Sequence, residues 1–404
     1  MKKILALSFC VLLGGTAVGQ IDSTLLKKQT LSTDSLQMNM DAVYSRPFMS
    51  SGKSTAVGGY VEANWQHLGT DGVSEGHQFQ FQRMTLFVAS TISEHVSFMS
   101  EIELEEGGKE IAIEFAALDL DLHPMLNLRT GIVMNPIGSF NQNHDGPKWE
   151  FVDRPISATQ MLPATWSNVG FGLFGQYFKN DWKFGYEAYI TSGFDQSIIE
   201  NDQNRTYLPS SKANADRFEE GHVLYTGKLA VRHKRVGEIG VSFMTGKYND
   251  EQEDGLTFDR SRWITATAID FSTKLPVLQT TITGEIAKIW VDVPSTYSQQ
   301  FGSQQQGGFV DFVQPIIQRS IFHFSNVVVN LALRLEYVDW NVGDFVETGG
   351  NIGDEVWSVV PGLSFRTTQE TVFRANYRFM QSTDILGNPP AKTGGFSIGV
   401  SSYF

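Results

Sequence analysis

Seven basic side chains fall in stretches where apolar and polar residues alternate, and such side chains can bind anions. Between Phe373 and Phe379, for example, Arg374 and Arg378 alternate with aromatic residues. The planar guanidinium group presents paired N–H donors that match the oxygens of phosphate and carboxylate. Each basic residue could instead form an ion pair with a glutamate on a neighbouring strand. The seven candidates are Arg83, Arg129, Lys228, Arg232, Arg334, Arg374 and Arg378.

The sequence carries no pattern typical of an enzyme. Its eight histidines show no metal-ligand spacing, and no GxxxxGK nucleotide-binding loop is present. We therefore predict no catalytic residue, no metal and no cofactor. A net charge of −13 disfavours nucleic acid as a partner.

Alternation of apolar and polar residues predicts that these side chains stand on β-strands. Trp182, Phe184 and Tyr186 fall on one face, while Lys183 and Glu187 fall on the other. About sixteen such runs occur, an even number, as bacterial membrane barrels require. They lie near 57–66, 77–90, 94–105, 110–123, 126–135, 169–179, 182–193, 221–233, 237–249, 262–273, 278–292, 307–318, 327–340, 355–366, 371–382 and 395–404.

The links between these runs alternate between short and long. Short turns on one rim and long loops on the other are typical of outer-membrane barrels. The runs of mostly 9–14 residues match a tilted strand that crosses a bilayer. Charged inward faces would be costly in a dry core but not around water. The sequence thus predicts an all-β, transmembrane antiparallel barrel whose last run, ending at Phe404, pairs with the first run near Gly58–Gln66.

The first 56 residues differ in composition from the rest. Residues 1–19 have two lysines, an apolar stretch and small residues, the order of a secretory signal peptide. Residues 20–56 are polar, and we expect a flexible periplasmic lead-in. The barrel domain is predicted to span 57–404, in contact with the lipid of the bacterial outer membrane.

The third long link, from Pro136 to Asn168, is the candidate constriction of the barrel. A wide barrel leaves an aqueous channel, and a loop of this length has room to fold into it. Its charged side chains would then shape selectivity, as rings of charge do in channels. The alternative is a loop that stands in solvent. The charged candidates are Asp145, Lys148, Glu150, Asp153 and Arg154.

Five segments of the barrel region resemble the phosphate-selective porin O/P family. They are FQFQRMTLFVAS (Phe79–Ser90), RTGIVMNPIGSF (Arg129–Phe140), FVDRP (Phe151–Pro155), NVGFGLFG (Asn168–Gly175) and LEYVD (Leu335–Asp339). The resemblance implies a sixteen-stranded porin, usually a homotrimer, that passes anions through a pore narrowed by inward-folded loops. It also implies that arginines and lysines line that pore.

Acidic residues on the same inward faces depart from that family pattern. Mixed charges across a narrow pore resemble the transverse field of a general diffusion porin. We therefore expect passive diffusion of small hydrophilic solutes, anions such as phosphate foremost. A weakly selective porin and a non-conducting barrel subunit of an envelope complex remain alternatives. The acidic residues are Glu101, Glu103, Glu105, Glu187, Glu285 and Glu336.

Overall fold

Sixteen strands form one closed antiparallel barrel. The computed structural model describes residues 38–44, 46, 55–105, 107–199, 204–211, 222–253 and 256–404, so the predicted signal peptide and most of the predicted lead-in lie outside the described residues. The strands are β1 (Thr55–Thr70), β2 (Gln78–Ser93), β3 (Val96–Glu105), β4 (Glu110–His123), β5 (Leu126–Met134), β6 (Ser167–Lys179), β7 (Trp182–Ser192), β8 (Val223–His233), β9 (Gly237–Lys247), β10 (Trp263–Lys274), β11 (Thr281–Val291), β12 (Gln304–Ile321), β13 (Phe324–Asp339), β14 (Glu355–Arg366), β15 (Thr371–Ser382) and β16 (Ala391–Tyr403).

The first and last strands close the barrel, as predicted. Each strand pairs with the next along the chain, and β1 pairs with both β2 and β16. In the β1–β16 pair, Tyr60 lies opposite Tyr403 and Gln66 opposite Ser397. Gly59 and Phe404 exchange both backbone hydrogen bonds just beyond this register. Closure leaves no barrel strand with an unpaired edge, which a lipid environment requires.

Predicted strand bounds agree with the observed ones to within a few residues, except where strands are long. The first strand, predicted at 57–66, spans Thr55–Thr70, and the twelfth, predicted at 307–318, spans Gln304–Ile321. Both exceed the roughly 9–11 residues that cross a bilayer. Because their ends project beyond the lipid, polarity there need not alternate, and the sequence pattern fades before the strand ends.

Connections on one rim are tight, and those on the other include five of twelve residues or more. Short helices occupy parts of the longer loops, and residues 135–166 contain three of them. Within the described residues, no helix is long and apolar enough to span a membrane. The short helices are Asn39–Asp41, Asn141–Asn143, Gly146–Lys148, Ser157–Met161, Gln196–Ile198 and Leu208–Ser211.

The outer face is an apolar band between two rims of aromatic residues. In the band, Leu229, Val241, Ile269 and Ile286 are each more than half exposed. Such a band, bounded by aromatic girdles, is the surface of a protein that spans the bacterial outer membrane. The exposed aromatic residues are Tyr225, Trp263, Trp290, Tyr337 and Trp357 at the long-loop rim, and Tyr177, Phe178, Trp182, Phe322 and Phe324 at the short-turn rim.

Candidate pore and the segments that fill it

Residues 135–166, here called the constriction loop, fold into the barrel as predicted. The loop leaves the wall at the end of β5 and is pinned first at Gly138–Phe140. Ser139 N and Phe140 N donate to Glu285 Oε2 on β11, at 2.7 and 3.1 Å. Gly138 N donates to Ser242 Oγ on β9 at 2.9 Å. A carboxylate that accepts two backbone N–H groups makes strong, charge-assisted hydrogen bonds.

The rest of the loop is bonded to strands around the whole barrel. Side chains on the wall accept loop N–H groups, donate to loop carbonyls or bond to loop side chains. These bonds hold the loop across the lumen rather than along one side of it. They include Gln142 to Glu187 on β7, Val152 N to Asn376 on β15, Ile156 N to Glu336 on β13, Thr165 to Glu114 on β4, and Arg374 on β15 to the carbonyl of Phe151.

All seven basic candidates on the wall lie on the inner face, and each forms an ion pair. The carboxylates occupy the N–H donors that a passing anion would otherwise bind. Such ion pairing is the alternative to anion binding that the sequence left open for these residues. The closest pairs are Arg83–Glu103 at 2.7 Å, Arg129–Asp119 at 2.7 Å, Lys228–Asp270 at 2.7 Å, Arg232–Glu238 at 3.3 Å, Arg334–Asp311 at 2.7 Å, Arg374–Glu62 at 2.5 Å and Arg378–Glu336 at 3.2 Å.

The Lys228–Asp270 pair shows how the wall accommodates these charges. Lys228 is on β8 and Asp270 on β10, with β9 between them. Gly240 on β9 leaves the space for this contact, because a Cβ there would lie 2.8 Å from both Lys228 Cε and Asp270 Oδ2. Both charged side chains are fully buried. Lys228 also donates to the carbonyl of Gly138 at 2.6 Å, so the pair supports the constriction loop.

Four of the five charged candidates on the constriction loop are also paired. Only Arg154 differs: within the described chain no carboxylate forms an ion pair with it, and its Nη2 is buried without a hydrogen-bond partner. Arg154 therefore keeps donor capacity that no carboxylate of the described chain has taken up. The paired groups are Asp145 with Arg46 and Lys148, Glu150 with Arg366, and Asp153 with Arg378.

Arg154 lines a cavity of about 610 Å³ at the long-loop side of the constriction loop. The cavity has apolar walls on one side, among them Trp340 and Met380. Arg205 stacks on Trp340, with its guanidinium carbon 4.3 Å from the ring centre. Charges of both signs surround the space, in equal number. They are Arg154, Arg205, Arg378, Asp153, Asp354 and Asp384.

A second segment lies inside the barrel, toward its short-turn side. Residues 38–44 and Arg46, here called the lumenal segment, belong to the stretch predicted as a flexible periplasmic lead-in. For these residues that prediction does not hold, because Met38, Met40, Val43 and Arg46 are at most 2% exposed. Apolar side chains on the segment pack against inward apolar residues of the wall, which sequence alternation alone does not reveal.

Arg46 ends the lumenal segment in a fully buried cluster of charges. Its Nη2 lies 2.6 Å from Glu101 Oε2 and 2.6 Å from Asp145 Oδ1. His144 Nε2 lies 3.6 Å from the Glu101 carboxylate. Glu101, His144 and Asp145 converge closely enough to hold a metal ion. The guanidinium of Arg46 compensates the negative charge of the Glu101 and Asp145 carboxylates.

The two loop charges nearest Arg46 have shifted pKa values. Burial by itself would raise the pKa of Asp145, but Arg46 and Lys148 hold that pKa well below its ordinary value. Burial lowers the pKa of the Lys148 ammonium, against the opposing effect of Asp145. The Asp145 carboxylate thus stays charged and binds Arg46 and the Tyr403 hydroxyl, the latter at 2.7 Å.

Sequence reasoning named the acidic partners Glu103 and Glu336 but missed five others on the wall, and it missed Arg46. The acids stand at inward positions of the same alternating runs, so strand parity was a usable signal for them. Arg46 had no such signal, because it lies outside any periodic run. The missed acids are Glu62, Asp119, Glu238, Asp270 and Asp311.

Comparison with known sequences does not assign the chain to a protein family. No protein-family model matches it. An uncharacterized protein of Aquifex aeolicus (strain VF5) is 29% identical over 209 residues, which are 49% of this chain and 46% of that protein. The chain thus spans about half the length of the curated relative it matches.

Comparison with solved structures identifies the fold. A loop-deletion mutant of OmpT, an outer membrane protein of Vibrio cholerae, superposes with a TM-score of 0.53 at 10% identity, over 87% of this chain and 100% of that one. An anion-selective porin from Comamonas acidovorans gives 0.52 at 11% identity, over 87% and 99%. The outer membrane channel DcaP of Acinetobacter baumannii gives 0.52 at 12% identity, over 88% and 99%. The chain has the fold of these outer-membrane barrels.

Proposed function

We propose that the protein is an outer-membrane porin through which small hydrophilic solutes diffuse passively, with a preference for small anions such as phosphate. A barrel of sixteen strands is wide enough for an aqueous channel. The single observation that favours anions is Arg154, which lines the 610 Å³ cavity and whose Nη2 has no hydrogen-bond partner in the described chain. No ATP and no cofactor enters this proposal.

The mixed lining of the cavity suits transport rather than tight binding. Arg154 can replace part of the hydration shell of an anion, since its fork matches phosphate and carboxylate oxygens. The acids Asp153, Asp354 and Asp384 border the same space and weaken retention. Conduction requires such a balance, in which binding allows entry but does not prevent exit.

Replacing Arg154 with glutamine is expected to lower the permeability of anions relative to cations. The change removes the unpaired positive charge at the cavity and keeps a polar side chain. The measurement is the reversal potential of single channels in planar bilayers under gradients of potassium chloride, potassium phosphate and small organic anions.

Arg235→Gln is the matched control. Arg235 lies exposed in the β8–β9 turn, so its substitution removes the same charge far from the cavity. Equal reversal potentials for wild type, Arg154→Gln and Arg235→Gln would contradict anion selection by Arg154 and favour a weakly selective porin. Wild-type protein that folds but never conducts would favour the non-conducting barrel subunit.

A homotrimer is a further prediction, carried by the resemblance to the porin O/P family rather than by any contact in the chain. Lipid-facing and partner-facing residues are both apolar, so the outer face does not distinguish them. Light scattering of the detergent-solubilised protein should give the mass of three chains, and the mass of one chain would contradict it.

A further inference from the structure

The short-turn half of the lumen is shaped as a binding site for a peptide, and the chain supplies that peptide itself. We propose that the lumenal segment is a plug that closes the short-turn side of the pore, and that solutes pass when it leaves. This inference rests on the proposed function, since a plug has a role only in a conducting barrel.

The lumenal segment contacts eight consecutive strands, half of the barrel. Its polar groups bind inward side chains at several heights: Asn39 N donates to Glu238 at 3.0 Å, and Asp41 pairs with Lys183 at 2.5 Å. A segment that occupied the barrel non-specifically would not form specific contacts with so many strands. The contacting wall residues are Phe87, Glu101, Phe115, Arg129, Gln176, Lys183, Ala230 and Glu238, on β2 to β9 in order.

Small and aromatic residues of the wall fit the side chains of the segment. Gly185 on β7 leaves room for Met40, whose Sδ would lie 2.5 Å from a Cβ at that position. Tyr44 lies under the Arg129 guanidinium, 3.4 Å from ring centre to guanidinium carbon. Val43 packs with Phe115, Ala117 and Met134. The apolar contacts add burial to the ionic ones, and burial stabilises the bound segment.

The segment and the constriction loop are in contact at Arg46, which binds the loop directly. Arg46 binds Asp145 of the loop and Glu101 of the wall. Lys148 of the loop donates to the carbonyl of Ala42 at 3.0 Å. The space beside the loop is thus occupied from Arg46 down to Gln176, next to the short turns. Departure of the segment would empty this half of the lumen.

Two variants test the plug from opposite directions. Deletion of residues 38–46 should raise single-channel conductance in planar bilayers several-fold. Gly185→Leu should do the same without touching any charge, because the new side chain takes the place of Met40. Folding of each variant is verified first by its heat-dependent shift in gel mobility, and Gly185→Leu keeps the test valid if the deleted protein does not fold.

A crosslink gives the converse test. The only cysteine, Cys10, lies in the predicted leader, so introduced cysteines have no competitor in the mature chain. Met40→Cys with Gly185→Cys, joined by a short thiol crosslinker, should hold the channel in its low-conductance state, and the Met40→Cys single variant should not respond. If wild type, Gly185→Leu and crosslinked protein conduct equally, the plug proposal is wrong but the porin proposal is unaffected. If no variant conducts, the porin proposal fails as well.

Discussion

An Asp270→Asn substitution is expected to lower the free energy of unfolding of the barrel by about 3–5 kcal/mol, because it leaves a buried ammonium without its counter-charge. Lys228 and Asp270 are both fully buried and 2.7 Å apart. Gly240 on the strand between them lets the two side chains meet directly. The measurement is urea unfolding in detergent micelles, followed by the fluorescence of the eight tryptophans.

Two comparisons make this prediction specific to a buried charge. Arg260→Ala breaks the Arg260–Asp292 pair, whose arginine side chain is 70% exposed, and should cost at most about 1 kcal/mol. Lys228→Met combined with Asp270→Leu removes both charges and should recover most of the loss. An Asp270→Asn protein as stable as Arg260→Ala would show that the pair contributes little.

The barrel was predictable from sequence because lipid imposes a simple rule on every strand. Outward residues such as Leu229 and Ile286 must be apolar, and inward neighbours such as Lys228 and Glu285 need not be. That rule gave all sixteen strands and the closing pair. The constriction loop was indicated separately, by the length of the link and its place as the third long one in the strand order.

The interior was less predictable, because sequence alternation gives the face of a residue but not its partner. Arg374 lies on the inner face, yet its carboxylate, Glu62, is on β1 and more than 300 residues away in the chain. Lys228 reaches past β9 only because residue 240 is glycine. The lumenal segment has no periodic pattern at all, so its place could come only from the fit of Met40 and Arg46 to the folded wall.

The ion pairs change how the interior can act on a solute. Because the wall cations are paired with carboxylates, the proposed selectivity would depend on groups that the fold leaves without such a partner, such as Arg154. Several of the paired wall cations also bind the constriction loop, as Arg374 does through the carbonyl of Phe151. The position of the loop should thus depend on a few wall carboxylates.

Glu285→Ala is expected to release the start of the constriction loop and to raise both the conductance of the channel and its fluctuations. The carboxylate accepts the backbone N–H groups of Ser139 and Phe140, and hydrogen bonds to a charged group contribute about 1.5–3 kcal/mol each. Limited digestion with trypsin gives a second measurement, because cleavage after the partly buried Lys148 requires the loop to leave the wall.

Two further variants separate loss of this contact from loss of charge. Glu285→Gln keeps an acceptor oxygen and should behave between wild type and Glu285→Ala. Gly138→Ala should resemble Glu285→Ala, because Gly138 has a φ of +64° and its added Cβ would overlap the Glu285 carboxylate. Unchanged trypsin resistance at Lys148 in both Glu285→Ala and Gly138→Ala would show that the loop is held without this contact, and that its remaining bonds to β13 and β15 suffice.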